Sequence, residues 1–345
     1  IRCDAEAEII RSGAICIQAR KLFDIVRALD SGDVHFKKED NEWVTMKSSR
    51  ASYRLAGVNR DQFPEIPQFK STPLRLPAET FAYFIRNTAF AITNEQSRFT
   101  LSGAKFVIGD GSAKMVTTDG HRLAYVERAI DDKEAVMDTL IPKKALLELI
   151  KLSRGVGEVS FGEDPNHIYF ETEGRLLITR KLSGQFPNYE MVMPKDNDKS
   201  VVFDLEEMRN AVRRMSLIAD DRNRSIRLNV REGEIEVTAQ SAEEGEGTEV
   251  VQADYHGEAV QLGFNWQYLL EFLTNAATGD VFMAGSESAA TESSDGSAAA
   301  TAPAKEGKAP LRITFDFKDS NAQTQMSIAG ETTYDYKYIV MPLRI

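Results

Sequence analysis

Five stretches of the chain carry apolar residues every three or four positions: ARKLFDIVRAL from Ala19, LPAETFAYFIRNTAFAI from Leu76, PKKALLELIKL from Pro142, FDLEEMRNAVRRMSLIA from Phe203 and NWQYLLEFLTNAA from Asn265. That spacing gathers apolar side chains on one face of a helix. Between them the period falls to two, as in RFTLSG and IRLNVREGEIEVTA, and short Gly and Asn turns such as the one within Arg231–Glu234 close hairpins. The pattern repeats. From residue 20 to residue 63, as from residue 143 to residue 186, is 43 positions, and QFPEIP ends the first succession as QFPNYEMVMP ends the second. The stretches at Leu76 and Phe203 pair in the same way, with Arg86 and Arg213 at equivalent places. Each unit reads as helix, strands, helix, strands, which predicts an α+β fold with two helices and antiparallel sheets per unit. The predicted units are residues 1–70, 71–197 and 198–345. The chain opens at IRCDAEAEII, without a methionine and already alternating like the middle of a strand, so the first unit is expected to be N-terminally incomplete. Residues 284–310 are rich in Ser, Ala and Gly with almost nothing to bury, and are expected to be a disordered insertion in the third unit.

Composition narrows the class. The chain has 345 residues, 42% hydrophobic and 28% charged, enough for two or three domains with ordinary cores. No run approaches the roughly 18 to 20 apolar residues of a membrane span, so no membrane contact and a cytoplasmic location are expected. Cys3 and Cys16 are too few for a disulfide framework or a four-thiolate zinc site, and are expected to be buried small residues. His35, His121, His167 and His256 are scattered without metal-ligand spacing, so neither a metal nor another cofactor is expected. The Gly109–Gly111 GDG lacks the rest of a phosphate loop and predicts a hairpin turn. Asp119 beside His121 has no accompanying nucleophile motif; no catalytic residue is assigned, and an uncharacterised hydrolase is kept as a competing class.

A net charge of −11 argues against an all-basic surface, yet the basic residues are sided. Arg20 and Arg27 are seven apart, as are Lys144 and Lys151; Arg209 and Arg213 are four apart, and Arg86 and Arg154 lie on other helices. Any one such helix reads as a solvated amphipathic helix. Recurrence on equivalent helices instead suggests a basic lining for phosphates, provided these helices face a common axis. Lacking base-reading side chains and stacking aromatics, that lining would bind independently of sequence and weaken with salt.

Taken together, TTDGHRLAYVE (Thr117–Glu127), PKKALLELIK, GQFPNYEMVMP (Gly184–Pro194) and the terminal YIVMPLRI resemble the bacterial DNA polymerase III beta subunit, the DNA sliding clamp. The resemblance spans the chain apart from residues 284–310. It implies three similar clamp domains, the first lacking its N-terminal part, and a head-to-tail homodimeric ring around double-stranded DNA. The implied function is that of a processivity factor without catalytic activity. The implied partners are the DNA polymerase III alpha subunit, the clamp loader and other clamp-binding peptides. Carried over by motif, the peptide pocket comprises Leu101, Thr118, Gly120, His121, Arg122, Leu123, Pro187, Met191, Val192, Ile339, Val340, Met341, Pro342 and Leu343. Aliphatic and thioether groups would form its floor, with Arg122 fixing polar atoms of the peptide. The DNA-facing set is Arg20, Lys21, Arg27, Arg86, Lys143, Lys144, Lys151, Arg209 and Arg213. Tyr53 and Leu55 on one side, and Leu217 and Ile218 on the other, match the ring contact. Without the resemblance, YIVMPLRI reads as a last strand completing a sheet and TDGHR as a tight Asp-Gly turn. The alternative function is a peptide-binding scaffold that does not encircle DNA.

Overall fold

Each of the five apolar-periodic stretches is helical: α1 (Ala19–Arg27), α2 (Ala78–Thr88), α3 (Lys143–Leu152), α4 (Leu205–Met215) and α5 (Trp266–Gly279). α2 and α3 follow Pro77 and Pro142, whose ring-fixed φ of −54° and −59° feeds the chain into the first turn. α4 is capped by Asp204, whose carboxylate accepts from the Glu207 backbone N–H at 2.8 Å, and Glu206 and Glu207 add favourable charge there. The computed structural model describes residues 1–69, 72–95, 97–220, 222–279, 310–330 and 332–344, so the insertion expected at 284–310 lies, Pro310 apart, outside the described residues.

The chain divides into two compact units, Cys3–Lys70 and a larger one of Ile1–Arg2 with Ser71–Ile345. In the larger unit one long antiparallel sheet runs in the order Met137–Pro142, Gly103–Gly109, Ser112–Thr118, Arg122–Ala129, Asp335–Val340, Thr324–Ile328, Arg312–Phe317, Lys199–Asp204, Gly245–Asp254, Glu234–Ser241, Ser225–Arg231, Val260–Asn265. Arg175–Arg180, His167–Thr172, Glu158–Glu163 and Leu74–Pro77 pair in that order in another sheet. The predicted turns are present. Gly109 faces Ser112 across Asp110 and Gly111, both at positive φ as a two-residue hairpin requires, and Arg231 faces Glu234.

The terminal strand Asp335–Val340 joins the two repeats of this unit. On one side it pairs with Arg122–Ala129, and on the other with Thr324–Ile328. Its alternate side chains Tyr336, Tyr338 and Val340 enter the core, where Tyr338 stacks on Phe272 of α5 at 4.9 Å. Phe81 of α2, fully buried, meets Phe106, Phe161 and Phe170 with centroids 5.1 to 5.7 Å away.

The smaller unit has a sheet in the order Cys16–Ile17, Ala51–Val58, Trp43–Ser48, His35–Lys38, together with α1. Val44 and Met46 are buried and stand opposite Leu55 and Tyr53 on one face. α1 has no buried residue, and Phe23 and Val26 are exposed, so its expected apolar face is only partly covered. The expectation of two buried cysteines is corrected for the same reason: with so little interior here, Cys3 is exposed and Cys16 half-buried, and both are free thiols. Among the described residues no helix is long and apolar enough to cross a membrane.

Candidate functional site

The TDGHR segment is the turn between strands Ser112–Thr118 and Arg122–Ala129, with Thr118 opposite Leu123. Asp119 organises it by accepting from the backbone N–H groups of His121 at 2.9 Å and Arg122 at 3.1 Å. Thr118 Oγ1 donates to the Arg122 carbonyl at 2.6 Å and accepts from Gly120 N–H at 3.1 Å. Gly120 has φ +91°, and a Cβ there would stand 2.7 Å from Arg98 Nη1, which donates to the Asp119 carbonyl at 2.7 Å. The end of the chain is tied to the same turn: Met341 N–H donates to the His121 carbonyl at 3.1 Å, and Leu343 N–H to that of Gly263 at 2.8 Å.

These elements form a cleft of about 120 Å³ lined by Leu101, Thr118, Gly120, His121, Arg122, Leu123, Pro187, Asn188, Tyr189, Val192, Ile339 and Met341. Beneath it Leu101, Val116, Leu123, Tyr125, Leu140, Phe186 and Ile339 form a small apolar cluster apart from the main core. Ten of the fourteen residues carried over by motif thus converge on one concavity. Four do not. Val340 is one residue out of phase with Ile339 on the strand and is wholly buried in the core; Met191 is 79% exposed; Pro342 and Leu343 lie beyond the cleft, on the path to Gly263. Asn188 and Tyr189 belong to the lining and were missed. Asn188 caps the short 3-10 helix Tyr189–Val192 by accepting from Glu190 N–H, which sets Tyr189 over the floor with its ring 6.1 Å from that of Tyr125.

Arg122 lines the cleft and is also tied into the protein. Its side chain is 7% exposed, and its Nε donates to Asp119 Oδ2 at 3.1 Å, Nη1 to Glu271, and Nη2 to the Phe90 carbonyl at 2.9 Å. The guanidinium lies 4.4 Å from the Tyr268 ring centroid. Burial works against its charge, but Tyr338 and Glu271 outweigh it and hold the pKa above the ordinary arginine value. Three of its five N–H groups are therefore committed within the protein.

The basic residues divide. Arg20, Lys21, Arg27, Lys144, Lys151 and Arg213 are exposed. Lys151 pairs with Glu148 at 2.9 Å, and the half-buried Arg209 pairs with Glu206. Arg86 is half-buried, its pKa lowered by burial and by Arg154. Lys143 turns away from the exposed face of α3, donating to Asn94 Oδ1 at 3.1 Å; burial lowers its pKa, with Glu271 opposing and Arg122 adding to the shift. Of the expected ring-contact residues, Tyr53, Leu55 and Ile218 are half-buried, and Leu217 is 77% exposed. Among the described residues no group of three or more His, Cys, Asp or Glu is placed to hold a metal ion.

Three family models match consecutive parts of the chain: the N-terminal domain of the DNA polymerase III beta subunit at residues 1–67, its central domain at 75–188 and its C-terminal domain at 190–291. The chain is 32% identical over 337 residues to the beta sliding clamp of Pseudomonas putida, covering 96% of this chain and 82% of that protein. It is similar to the crystal structure of the Pseudomonas aeruginosa DnaN sliding clamp bound to griselimycin, with 27% identity, a TM-score of 0.80, and 96% and 81% of the two chains covered. It is also similar to the Caulobacter crescentus beta sliding clamp, with 27% identity, a TM-score of 0.83, and 99% and 85% covered.

Proposed function

This chain belongs to the DNA polymerase III beta subunit family and is a DNA sliding clamp; from that premise we propose that the cleft beneath the TDGHR turn is its docking pocket for short partner peptides. The observation that carries the reading is the floor: Leu101, Leu123 and Ile339 present an apolar surface, open on one side and framed by the backbone of an ordered turn. Such a floor suits the alternate side chains of an extended peptide. The family is one of non-catalytic processivity factors that bind DNA and polymerase-type partners. We place the DNA polymerase III alpha subunit, the clamp loader and repair proteins in this pocket, and duplex DNA along the exposed Arg20, Lys21, Arg27, Lys144, Lys151 and Arg213.

The internal repeat supports a ring. Strand Arg122–Ala129 of the central repeat pairs with Asp335–Val340, the last strand of the next one. Its counterpart Gly245–Asp254 is paired on that side only at Ala253 and Asp254 among the described residues. The last strand of the first repeat, Ala51–Val58, likewise has a second neighbour only at Gly57 and Val58. A second copy of the chain completes both edges, placing Tyr53 and Leu55 near Leu217 and Ile218; sedimentation equilibrium then reports twice the chain mass. Domain boundaries at 70/71 and 197/198 accompany this arrangement.

The pocket is tested by calorimetric titration with griselimycin. The native chain binds saturably, and Met341→Asp, at a side chain 41% exposed whose backbone tie to His121 is unchanged, loses at least about tenfold in affinity. Equal affinity for the two proteins, with both folded by circular dichroism, refutes the assignment.

A further inference from the structure

Arg122 borders the cleft, yet its firmest ties run behind it. We propose that Arg122 is a positioning residue: through Glu271 it locks the TDGHR turn of the central repeat against α5 of the C-terminal repeat, and so holds the cleft at its binding width. The proposal rests on the cleft being the partner-peptide pocket.

Its bonds reach three separate elements. Asp119 is in the turn itself, the Phe90 carbonyl follows α2, and Glu271 lies on α5, 149 positions along the chain. The guanidinium also lies over two rings, its carbon 4.4 Å from the Tyr268 centroid and 5.5 Å from that of Phe90. A planar fork can bond in three directions while stacking, which a lysine ammonium cannot. Glu271 is held ready by Gln267, one helical turn earlier, whose Nε2 donates to Oε1 at 3.0 Å.

The cleft crosses the seam that this tie closes: one wall is the turn, the other is Ile339 and Met341. Losing the Glu271 charge leaves a buried guanidinium with Asp119 as its one carboxylate, and the turn keeps only the Tyr268 ring contact with α5 in place of its charged hydrogen bond. Glu271 does not line the cleft, so an effect of its replacement on affinity is transmitted through Arg122.

The test is a double-mutant cycle on the full chain, read by calorimetric titration with griselimycin and by thermal melting. Glu271→Gln is expected to weaken binding about tenfold, Arg122→Ala at least as much, and the double variant no more than Arg122→Ala alone. Arg122→Lys, which keeps the charge but loses the fork and the stack, fails to restore affinity. Native affinity in Glu271→Gln overturns the proposal, as do strictly additive losses or a Lys variant that binds normally. A melting point lowered without a loss of affinity also overturns it, because the tie then acts on the fold alone. Absence of binding by the native chain overturns the pocket reading and the proposal with it. If Arg122→Ala does not fold, Glu271→Gln against Arg122→Lys carries the same cycle.

Discussion

Gly120→Ala is the sharpest test of how the turn that walls the cleft is built. At φ +91° an alanine is strained, which costs about 1 to 2 kcal/mol. Its Cβ would also stand 2.7 Å from Arg98 Nη1, so Arg98 must move and its bond to the Asp119 carbonyl is broken. Arg98 is 43% exposed and water replaces much of that bond, so this adds only about 0.5 to 1 kcal/mol. The sum, about 2 kcal/mol, lowers the urea midpoint by about 0.7 M for a slope of roughly 3 kcal/mol/M. Equilibrium denaturation of the two proteins measures it, with slopes compared to confirm that the same unit unfolds. Arg98→Ala removes the crowded atom, so the Arg98→Ala/Gly120→Ala pair should lose less than the two single effects added. A midpoint for Gly120→Ala within about 0.1 M of native refutes the reasoning, because neither the backbone conformation nor the Arg98 side chain would then constrain the turn.

Two further outcomes follow from the surface. Asp164 accepts hydrogen bonds from the Tyr169 hydroxyl and from the backbone N–H groups of Asn166 and His167, which hold its carboxyl well below the usual carboxylate range. Its folded pKa lies below its unfolded one, so the stability it contributes is complete above about pH 4 and is lost as the pH falls further. Urea midpoints measured from pH 6 down to about pH 2 should decline less steeply in Asp164→Asn; identical acid limbs would rule this group out. Replacing the exposed Lys144 and Lys151 by Glu should weaken retention on DNA of any sequence and reduce the log–log salt slope by about 0.9 for each phosphate that is no longer neutralised, with griselimycin affinity unchanged. A salt slope equal to the native one would remove these two lysines from the DNA surface.

The helices and hairpins were legible because their evidence is local: periods of 3.6 and 2, Pro before α2 and α3, and Asp110-Gly111 in a two-residue turn. The cleft was legible in part, since its motifs mark the segments that meet. Which side chain of a segment faces inward was not marked. Ile339 and Val340 look alike in YIVMPLRI, and only the pleat sends one to the cleft and the other to the core. Tyr189 stood in GQFPNYEMVMP, but its direction depends on the Asn188 cap. The bond from Arg122 to Glu271 was out of reach for another reason: Glu271 belongs to the next repeat, and no local pattern joins residues 149 positions apart.

The repeat also explains why one chain should offer one docking site. A second cleft lies at the equivalent place in the C-terminal repeat, lined by Asn223, Gln240 and Glu246 among others. Asn223 stands two residues before strand Ser225–Arg231, as Leu101 does before Gly103–Gly109. Gln240 faces Glu246 across its hairpin, as Thr118 faces Leu123. The fold therefore repeats one wall of the concavity, and side chains decide its use: Leu101 and Leu123 give an apolar floor, whereas Asn223 and Glu246 give one that keeps its water. Seating apolar groups there would strip a carboxylate and an amide of hydration without replacement bonds. Calorimetry should accordingly return one griselimycin per chain, and Met341→Asp should remove that single site without uncovering another. A stoichiometry of two, or binding that survives in Met341→Asp and is lost in a Glu246 variant, would place docking in the polar cleft and defeat the argument from the floor.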